Sequence, residues 1–593
     1  MAPTPVRPAV AFAVTAAVTL ALLVAGCAPS PSSPDRPAEP DTAAGRTGCV
    51  PLEVNSSTEK GDLLLDLAYR YNRAGRTFEG RCAAVSVHKT TSGKATDAVT
   101  AGWNARRHGA PVPQVWTPSS SLWLGLVEER TGGRTVLAPD GPRSLATSPL
   151  TIAMPRPMAE ALGWPEKTLG WADVLALSSD RRGWAAHGHP EWGGFTLGRD
   201  NPHRSTSGLA ATVATYYAAT GRTSDLSEAD VRSAKAVDFV RGVEASVAHY
   251  SDDAVRYLSN LADADQRGQA LSYLSAIVMQ EQLAFLYNSG APDADPKSIG
   301  TGRRPTVPLV AVHPADGTLM FDHPYVVLPG ASADQRAAAA DFLAYLRLPE
   351  QRQRFAEVGF RDSDGQPTKV LSDTLPMRAD QQLTLLPPPS PSVLAAMLSG
   401  WDDLRKKARV LLVIDVSGSM DGSAGGGRTK LEAAKRAAIE GIGLLHPDDE
   451  VALWSFSSDP SYRQRVGFGR VGDIRATLTK KINDLDTGGG TDLYKTTRAA
   501  HKFVYEGTTV DRINAVVLLT DGNNTGSGDL ADVVRAVDAE RLELSVRMFA
   551  IAFGDGSDLD ALRQIARAAK GSAYDARDPS TINDAFISVL SNF

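Results

Sequence analysis

Two stretches of the chain have the pattern of strands buried on both faces, and each stops at an aspartate. Arg409-Val410-Leu411-Leu412-Val413-Ile414 runs into Asp415-Val416-Ser417-Gly418-Ser419-Met420, and Ala515-Val516-Val517-Leu518-Leu519-Thr520 runs into Asp521-Gly522. A continuous apolar run, rather than an alternating one, marks a parallel strand covered by helices on both sides. Parallel strands cannot be joined by tight turns, so the sequence between them must supply crossover helices. Both aspartates then fall just past the carboxyl ends of strands, the edge at which open parallel sheets bind ligands. Asp415, Ser417 and Ser419 alternate along their loop, which lets three oxygens turn toward one point. Further on, Gly488-Gly489-Gly490-Thr491-Asp492 precedes a helical stretch over 493–505 and places a hydroxyl at a helix start after flexible glycines. Hydroxyls and carboxylates together make a small, hard site suited to Mg2+ or Mn2+; with no soft ligand offered, Zn2+ and Cu are poor candidates.

This combination, Asp415-x-Ser417-x-Ser419 with Thr491 and Asp521-Gly522, resembles the metal-ion-dependent adhesion site of von Willebrand factor type A domains. The resemblance implies that Ser417, Ser419 and Thr491 bind Mg2+ or Mn2+ through their hydroxyls, with Asp415 and Asp521 acting directly or through water. It leaves the sixth position to an acidic side chain of a protein partner. It also implies a doubly wound, Rossmann-like α/β fold over 408–593, with further strands at 451–456 and 545–553 and helices near 430–445, 473–481, 530–542, 559–570 and 581–590. Residues 422–427 lengthen the loop after Met420, which alters access to the metal but not its ligands.

The chain begins with one cation, Arg7, followed by an apolar run over 9–24 and then Val24-Ala25-Gly26-Cys27. This is the pattern of a secretory signal peptide over 1–26. The LVAGC block resembles the bacterial lipobox, which implies lipidation of Cys27 and a cell-membrane anchor on the extracytoplasmic face. A diacylglyceryl pair with a further acyl chain meets the two-signal requirement for stable anchoring. The competing reading is an uncleaved transmembrane helix, since the run is nearly long enough to span a bilayer. Residues 27–47, rich in Pro, Ser and Ala, read as an extended tether. The other two cysteines, Cys49 and Cys82, are the only intrachain pair left in an oxidising compartment. Each opens a strand-like run, with a helical stretch between; in such a βαβ unit both cysteines sit at one sheet end, and a disulfide is expected.

From 48 to 385, short apolar strands alternate with helical stretches, which argues for α/β layers. The expected layout is one lobe, about 48–150 and 305–385, interrupted by a second over about 151–304. Pro387-Pro388-Pro389 then breaks the chain, and 386–407 reads as a linker and connecting helix. The opening strand with its Ser-rich turn (Glu53-Val54-Asn55-Ser56-Ser57-Thr58), the crossing Ser148-Pro149-Leu150-Thr151-Ile152-Ala153-Met154-Pro155, the return Phe321-Asp322-His323-Pro324-Tyr325-Val326-Val327, and Phe355-Ala356-Glu357-Val358-Gly359-Phe360-Arg361 carry a second resemblance. Together they resemble the bilobed, periplasmic-binding-protein-like extracellular solute-binding proteins of bacterial ABC transport, type 2 topology. The resemblance implies a small solute between the lobes, held by hydroxyls and backbone N–H groups at helix starts. Ser56, Ser57 and Thr58, then Ser119, Ser120 and Ser121, then Ser205, Thr206 and Ser207 have that chemistry, and His203 and Arg204 beside the last group would suit an anion. The competing reading makes all of these ordinary helix N-caps.

With 62 Lys and Arg against 68 Asp and Glu, the net charge of −6 lacks the broad basic field that nucleic-acid binding uses. There is no His-Glu-x-x-His, no Gly-x-Ser-x-Gly, no glycine-rich phosphate loop and no Cys–His pairing, so no enzyme is expected. The leading expectation is a lipid-anchored extracytoplasmic binding protein. Its C-terminal domain binds an acidic residue of a protein partner through the metal, and its bilobed domain senses or presents a solute. The alternative is a transport receptor that uses the C-terminal domain for docking, and a subunit of an envelope machine is a third class. A cleft keeping solute-contacting polar groups would favour the transport receptor; a filled one would favour adhesion.

Overall fold

The computed structural model describes residues 48–133, 143–362, 364–378, 381–542 and 545–593. Cys27, the expected signal peptide and the tether lie outside the described residues. The described residues all fall within one compact unit.

The first lobe opens with β1 (Val50–Ser56), α1 (Thr58–Arg73) and β2 (Ala83–Lys89). Leu63, Leu64, Leu67, Ala68 and Tyr71 recur on one face of α1 and are buried, the stripe a helix needs to cover a sheet. β1 and β2 are parallel, in register from Val50 opposite Ala83 to Ser56 opposite Lys89. Cys49 and Cys82, each just ahead of that pairing, form a disulfide. α2 (Ser92–Ala101), β3 (Val115–Thr117), α3 (Leu122–Arg130) and β4 (Arg143–Ser144) follow.

The chain then crosses into the second lobe through β5 (Ser148–Pro155), continuing with β6 (Leu197–Asp200), α4 (Thr206–Thr220), α5 (Ala234–Glu244), β7 (Val247–Ser251), α6 (Ala254–Gln266), β8 (Ala276–Gln280), α7 (Glu281–Asn288), β9 (Leu309–Val312) and β10 (Met320–Phe321). It returns as β11 (Pro324–Val327). The first sheet has the order β2-β1-β3-β11-β4, and the second β10-β5-β8-β6-β7 with β9 also on β5. This corrects the expected layout: β9 pairs with β5, from Ile152 opposite Val312 to Pro155 opposite Leu309, so the return to the first lobe comes after Phe321 and not near residue 304. β9 is buried throughout. An all-apolar strand suits either sheet, and only its pairing partner decides between them.

α8 (Pro391–Leu404), with proline at its first position, leads into the third sheet. Its elements are β12 (Lys407–Asp415), α9 (Lys430–Ile442), β13 (Glu450–Phe456), β14 (Tyr462–Arg470), α10 (Leu493–Tyr505), β15 (Arg512–Thr520), β16 (Arg547–Phe553), β17 (Ala573–Ala576) and α11 (Ile582–Leu590). The order is β14-β13-β12-β15-β16-β17, parallel throughout except for β14, which runs antiparallel to β13. β14 was not expected from the sequence; its YRQRVGFGR run is mostly exposed, and such a charged edge strand lacks the apolar signature.

α8 is no free linker. It packs on α3 of the first lobe and on α4 and α5 of the second. Leu394, Met397 and Trp401 join one apolar cluster with Trp123, Tyr216, Val240, Tyr250, Phe549 and Phe593, which runs from both lobes into the C-terminal domain. That domain also touches both lobes directly. Lys94 of α2 pairs with Asp584 of α11 at 2.6 Å. Asn201 Nδ2 donates to Ser591 O at 3.1 Å, and Tyr250 N donates to Asn592 O at 3.1 Å. Among the described residues, no helix is long and apolar enough to cross a membrane.

Candidate functional site

The third sheet delivers its two aspartates side by side, because β12 and β15 are adjacent and in register up to Ile414 opposite Leu519. Asp415 Oδ1 accepts the Ser417 N–H at 2.8 Å, and its Oδ2 accepts the Thr520 hydroxyl at 2.6 Å. The Ser417 and Ser419 hydroxyls lie 3.0 Å apart, and Ser419 Oγ donates to Asp521 Oδ1 at 2.7 Å. The other oxygen of Asp521 accepts from Lys430 Nζ at 2.7 Å. The glycine loop is fastened alongside: Gly418 N donates to Gly489 O at 2.9 Å and Gly488 N to Val416 O at 2.8 Å. Thr525 holds Thr491 by hydrogen bonds on both sides of its peptide, each at 2.8 Å. A Cβ on Gly522 would lie 3.3 Å from Thr491 Oγ1 and 3.8 Å from Ser419 Oγ, so these hydroxyls gather around a bare backbone.

All five residues singled out in the sequence therefore converge. Asp415, Ser417, Thr491 and Asp521 are buried, whereas Ser419 is exposed and opens the group to solvent. Burial pushes the Asp415 carboxyl up to about 6, and the nearby Asp521 adds to the push. Two carboxylates held close in a poorly solvated place favour a cation between them. The donor set is all oxygen, which fits a hard divalent ion. Among the described residues, no group of three or more His, Cys, Asp or Glu could hold a metal; here hydroxyls make up the number.

The cleft between the lobes is shut. The cavity at its centre measures about 20 Å³, room for about one water. Thr58, Ser119, Ser205, Thr206 and Ser207 line it, while Ser56, Ser57 and Ser120 lie off it. Ser56 Oγ donates to Ser57 O at 3.0 Å, and Ser120 Oγ accepts the Leu122 N–H at 3.3 Å. Four of these eight hydroxyls, those of Ser57, Thr58, Ser119 and Ser205, serve the chain's own carboxylates. Glu59 Oε1 accepts from Ser57 at 2.6 Å and Ser119 at 2.9 Å, and Ser205 donates to Asp200 Oδ2 at 2.7 Å. Neither Ser57 nor Ser205 caps its helix through its side chain. Across the cleft, Thr58 donates to Asp253 at 3.1 Å and Trp123 Nε1 to Thr206 Oγ1 at 2.8 Å. His203 and Arg204, whose chemistry would suit an anion, pair within the chain with Asp402 at 2.8 Å and Asp97 at 2.9 Å. Lys60, fully buried beside Ser57, donates to Thr117 O at 2.9 Å, and burial pushes its ammonium down to about 8.

Residues 52–361 match the family model of the bacterial extracellular solute-binding proteins. The chain belongs to that family. Residues 410–523 of this solute-binding protein also match the von Willebrand factor type A domain, a second module on the same chain. Its sequence relatives include the "Uncharacterized protein Rv1836c" of Mycobacterium tuberculosis, 25% identical over 509 residues that span 82% of this chain and 68% of that protein. Among solved structures, the von Willebrand factor type A protein from Catenulispora acidiphila is similar at 26% identity, covering 32% of this chain and 42% of its own, with a TM-score of 0.27. The periplasmic binding protein AfuA from Actinobacillus pleuropneumoniae is similar at 15% identity, covering 60% of this chain and 99% of its own, with a TM-score of 0.39.

Sequence reasoning missed several groups in this solute-binding protein. Glu59, Ser92, Asp253, Gln280 and Phe321 line the cavity. Asp252-Asp253 ahead of an apolar helical run was the available signal, because Asp253 caps α6 by accepting the Val255 N–H. Lys430 was missed because it stands inside an ordinary capping box formed by Thr429 and Glu432.

Proposed function

We propose that this chain is a lipid-anchored extracytoplasmic binding protein, held at the cell membrane through Cys27. In this reading its von Willebrand factor type A domain takes an acidic side chain of a protein partner through Mg2+ or Mn2+. The convergence of Asp415, Ser417, Ser419, Thr491 and Asp521 on one partly open point carries the reading. A divalent ion bound there supplies the positive charge that draws in a partner carboxylate. Ser417, Ser419 and Thr491 would hold the ion through oxygen lone pairs, while Asp415 and Asp521 balance part of its charge.

The bilobed domain then serves as a closed platform that presents the adhesion domain. A cavity of about 20 Å³ whose hydroxyls already serve Glu59, Asp200 and Asp253 speaks against solute exchange with a permease. Neither matched family is an enzyme family, and the reading assigns no catalysis to the chain.

The test is retention of envelope proteins on the immobilised full chain, in Mg2+ and in chelator, beside Asp415→Ala. Proteins held by the parent in Mg2+, and released both by chelator and by the substitution, are the expected result. Retention indifferent to chelator and substitution would contradict metal-dependent capture.

A further inference from the structure

Lys430, the first residue of α9, reaches the adhesion site between two glycines. A Cβ on Gly554 would lie 3.0 Å from Lys430 Cε and 3.1 Å from its Nζ, and one on Gly422 would lie 3.4 Å from Cε. Gly554 also stands at φ +73°, a conformation that suits glycine. Lys430 N donates to Gly422 O at 2.8 Å, which fixes the base of the side chain as well. The ammonium thus meets Asp521 Oδ2 at 2.7 Å, and the Asp521 side chain is fully buried. Only Oδ1 of Asp521 is left turned toward Ser419.

This contact changes the charge balance of the site. Two carboxylates alone would neutralise a divalent ion. With one of them, the fully buried Asp521, already paired to the Lys430 ammonium, the ion and its surroundings carry an excess positive charge, and charge interactions at this range beside a buried carboxylate are strong. An external carboxylate removes that excess. We infer that Lys430 makes the site hold a divalent ion weakly by itself and firmly only together with an external carboxylate, so that metal and acidic partner bind as a pair. The inference rests on the metal-site reading of the five residues above. Linkage makes the effect reciprocal: whatever factor the carboxylate adds to metal affinity, the metal adds to carboxylate affinity.

A purely structural lysine would act in the opposite direction. Removing it would loosen Asp521 and weaken metal binding, whereas removing a charge regulator strengthens it. The test is a Mn2+ titration of the full chain in detergent, with free ion counted by electron paramagnetic resonance, with and without acetate. The parent is compared with Lys430→Met and Asp415→Ala. Lys430→Met should bind Mn2+ about tenfold tighter than the parent, and the gain that acetate gives the parent should shrink in the variant. Asp415→Ala should abolish binding, which places the counted ion at this site. Equal or weaker binding by Lys430→Met, or an acetate gain that is the same in both, overturns the inference while leaving the metal site standing. No Mn2+ bound by the parent or by Lys430→Met, with or without acetate, overturns the metal reading and the inference together. Circular dichroism checks folding, and Lys430→Gln carries the same comparison if Lys430→Met does not fold.

Discussion

Gly93 donates its N–H to Arg204 O at 3.0 Å across the interlobe cleft. A Cβ there would lie 2.1 Å from His203 O and 2.6 Å from Arg204 Cα. Those are backbone atoms, which cannot swing aside as a side-chain tip can. Gly93→Ala is therefore expected to part the lobes and to cost about 1–3 kcal/mol. Hydrogen exchange checks this: the amides of residues 92–96 and 204–209 should lose protection, and unchanged protection would contradict the closure described above. Side chains at the candidate metal site were far more legible than those at the cleft. Asp415 ends a recognisable strand with Ser417 and Ser419 close behind it, and Asp521 follows directly on another, so their spacing together with the resemblance it carries placed them. Lys430 could not be read in the same way, because its contact depends on Gly422 and Gly554, which the sequence sets far apart. The cleft hydroxyls were found at helix starts as expected, but nothing local shows that Glu59, Asp200 and Asp253 accept their hydrogen bonds.

At the level of elements, α8 separates what pattern reveals from what it hides. Leu394, Met397, Leu398 and Trp401 fall at helical spacing, so an amphipathic helix was legible. Its target was not, since an apolar stripe does not say what covers it. The stripe packs on helices of both lobes, and Trp401 meets Tyr250 edge-on with ring centroids 5.1 Å apart. Trp401→Ala should therefore behave as a core truncation, costing about 3–5 kcal/mol in urea denaturation. A loss below about 1 kcal/mol, the size of a surface substitution, would show that the helix is only a connector. The strands divide in the same way. β12 and β15 are apolar throughout their central runs and stood out, whereas β14 is a polar edge, and β9 carried no mark of which sheet it joins.

On the scale of the whole molecule, the two matched families are not beads on a string. Residues 591 and 592 of the C-terminal domain hydrogen-bond to the second lobe, while Asp584 pairs with Lys94 of the first. The bilobed domain is thereby braced by α8 and by α11, and the loops that gather the metal-site residues are carried on a scaffold larger than their own domain. The order of the domains was legible from local motifs. Their docking was not, because it depends on complementary faces that no single segment displays. The central claim remains that Asp415, Ser417, Ser419, Thr491 and Asp521 form a working divalent-cation site. A calorimetric titration of Mg2+ into the full chain, beside Asp415→Ala and Asp521→Ala and repeated with acetate present, tests it most directly. The account predicts binding by the parent, strengthened by acetate and lost in both variants. Heats from the parent that match those of the two variants, with and without acetate, would contradict it.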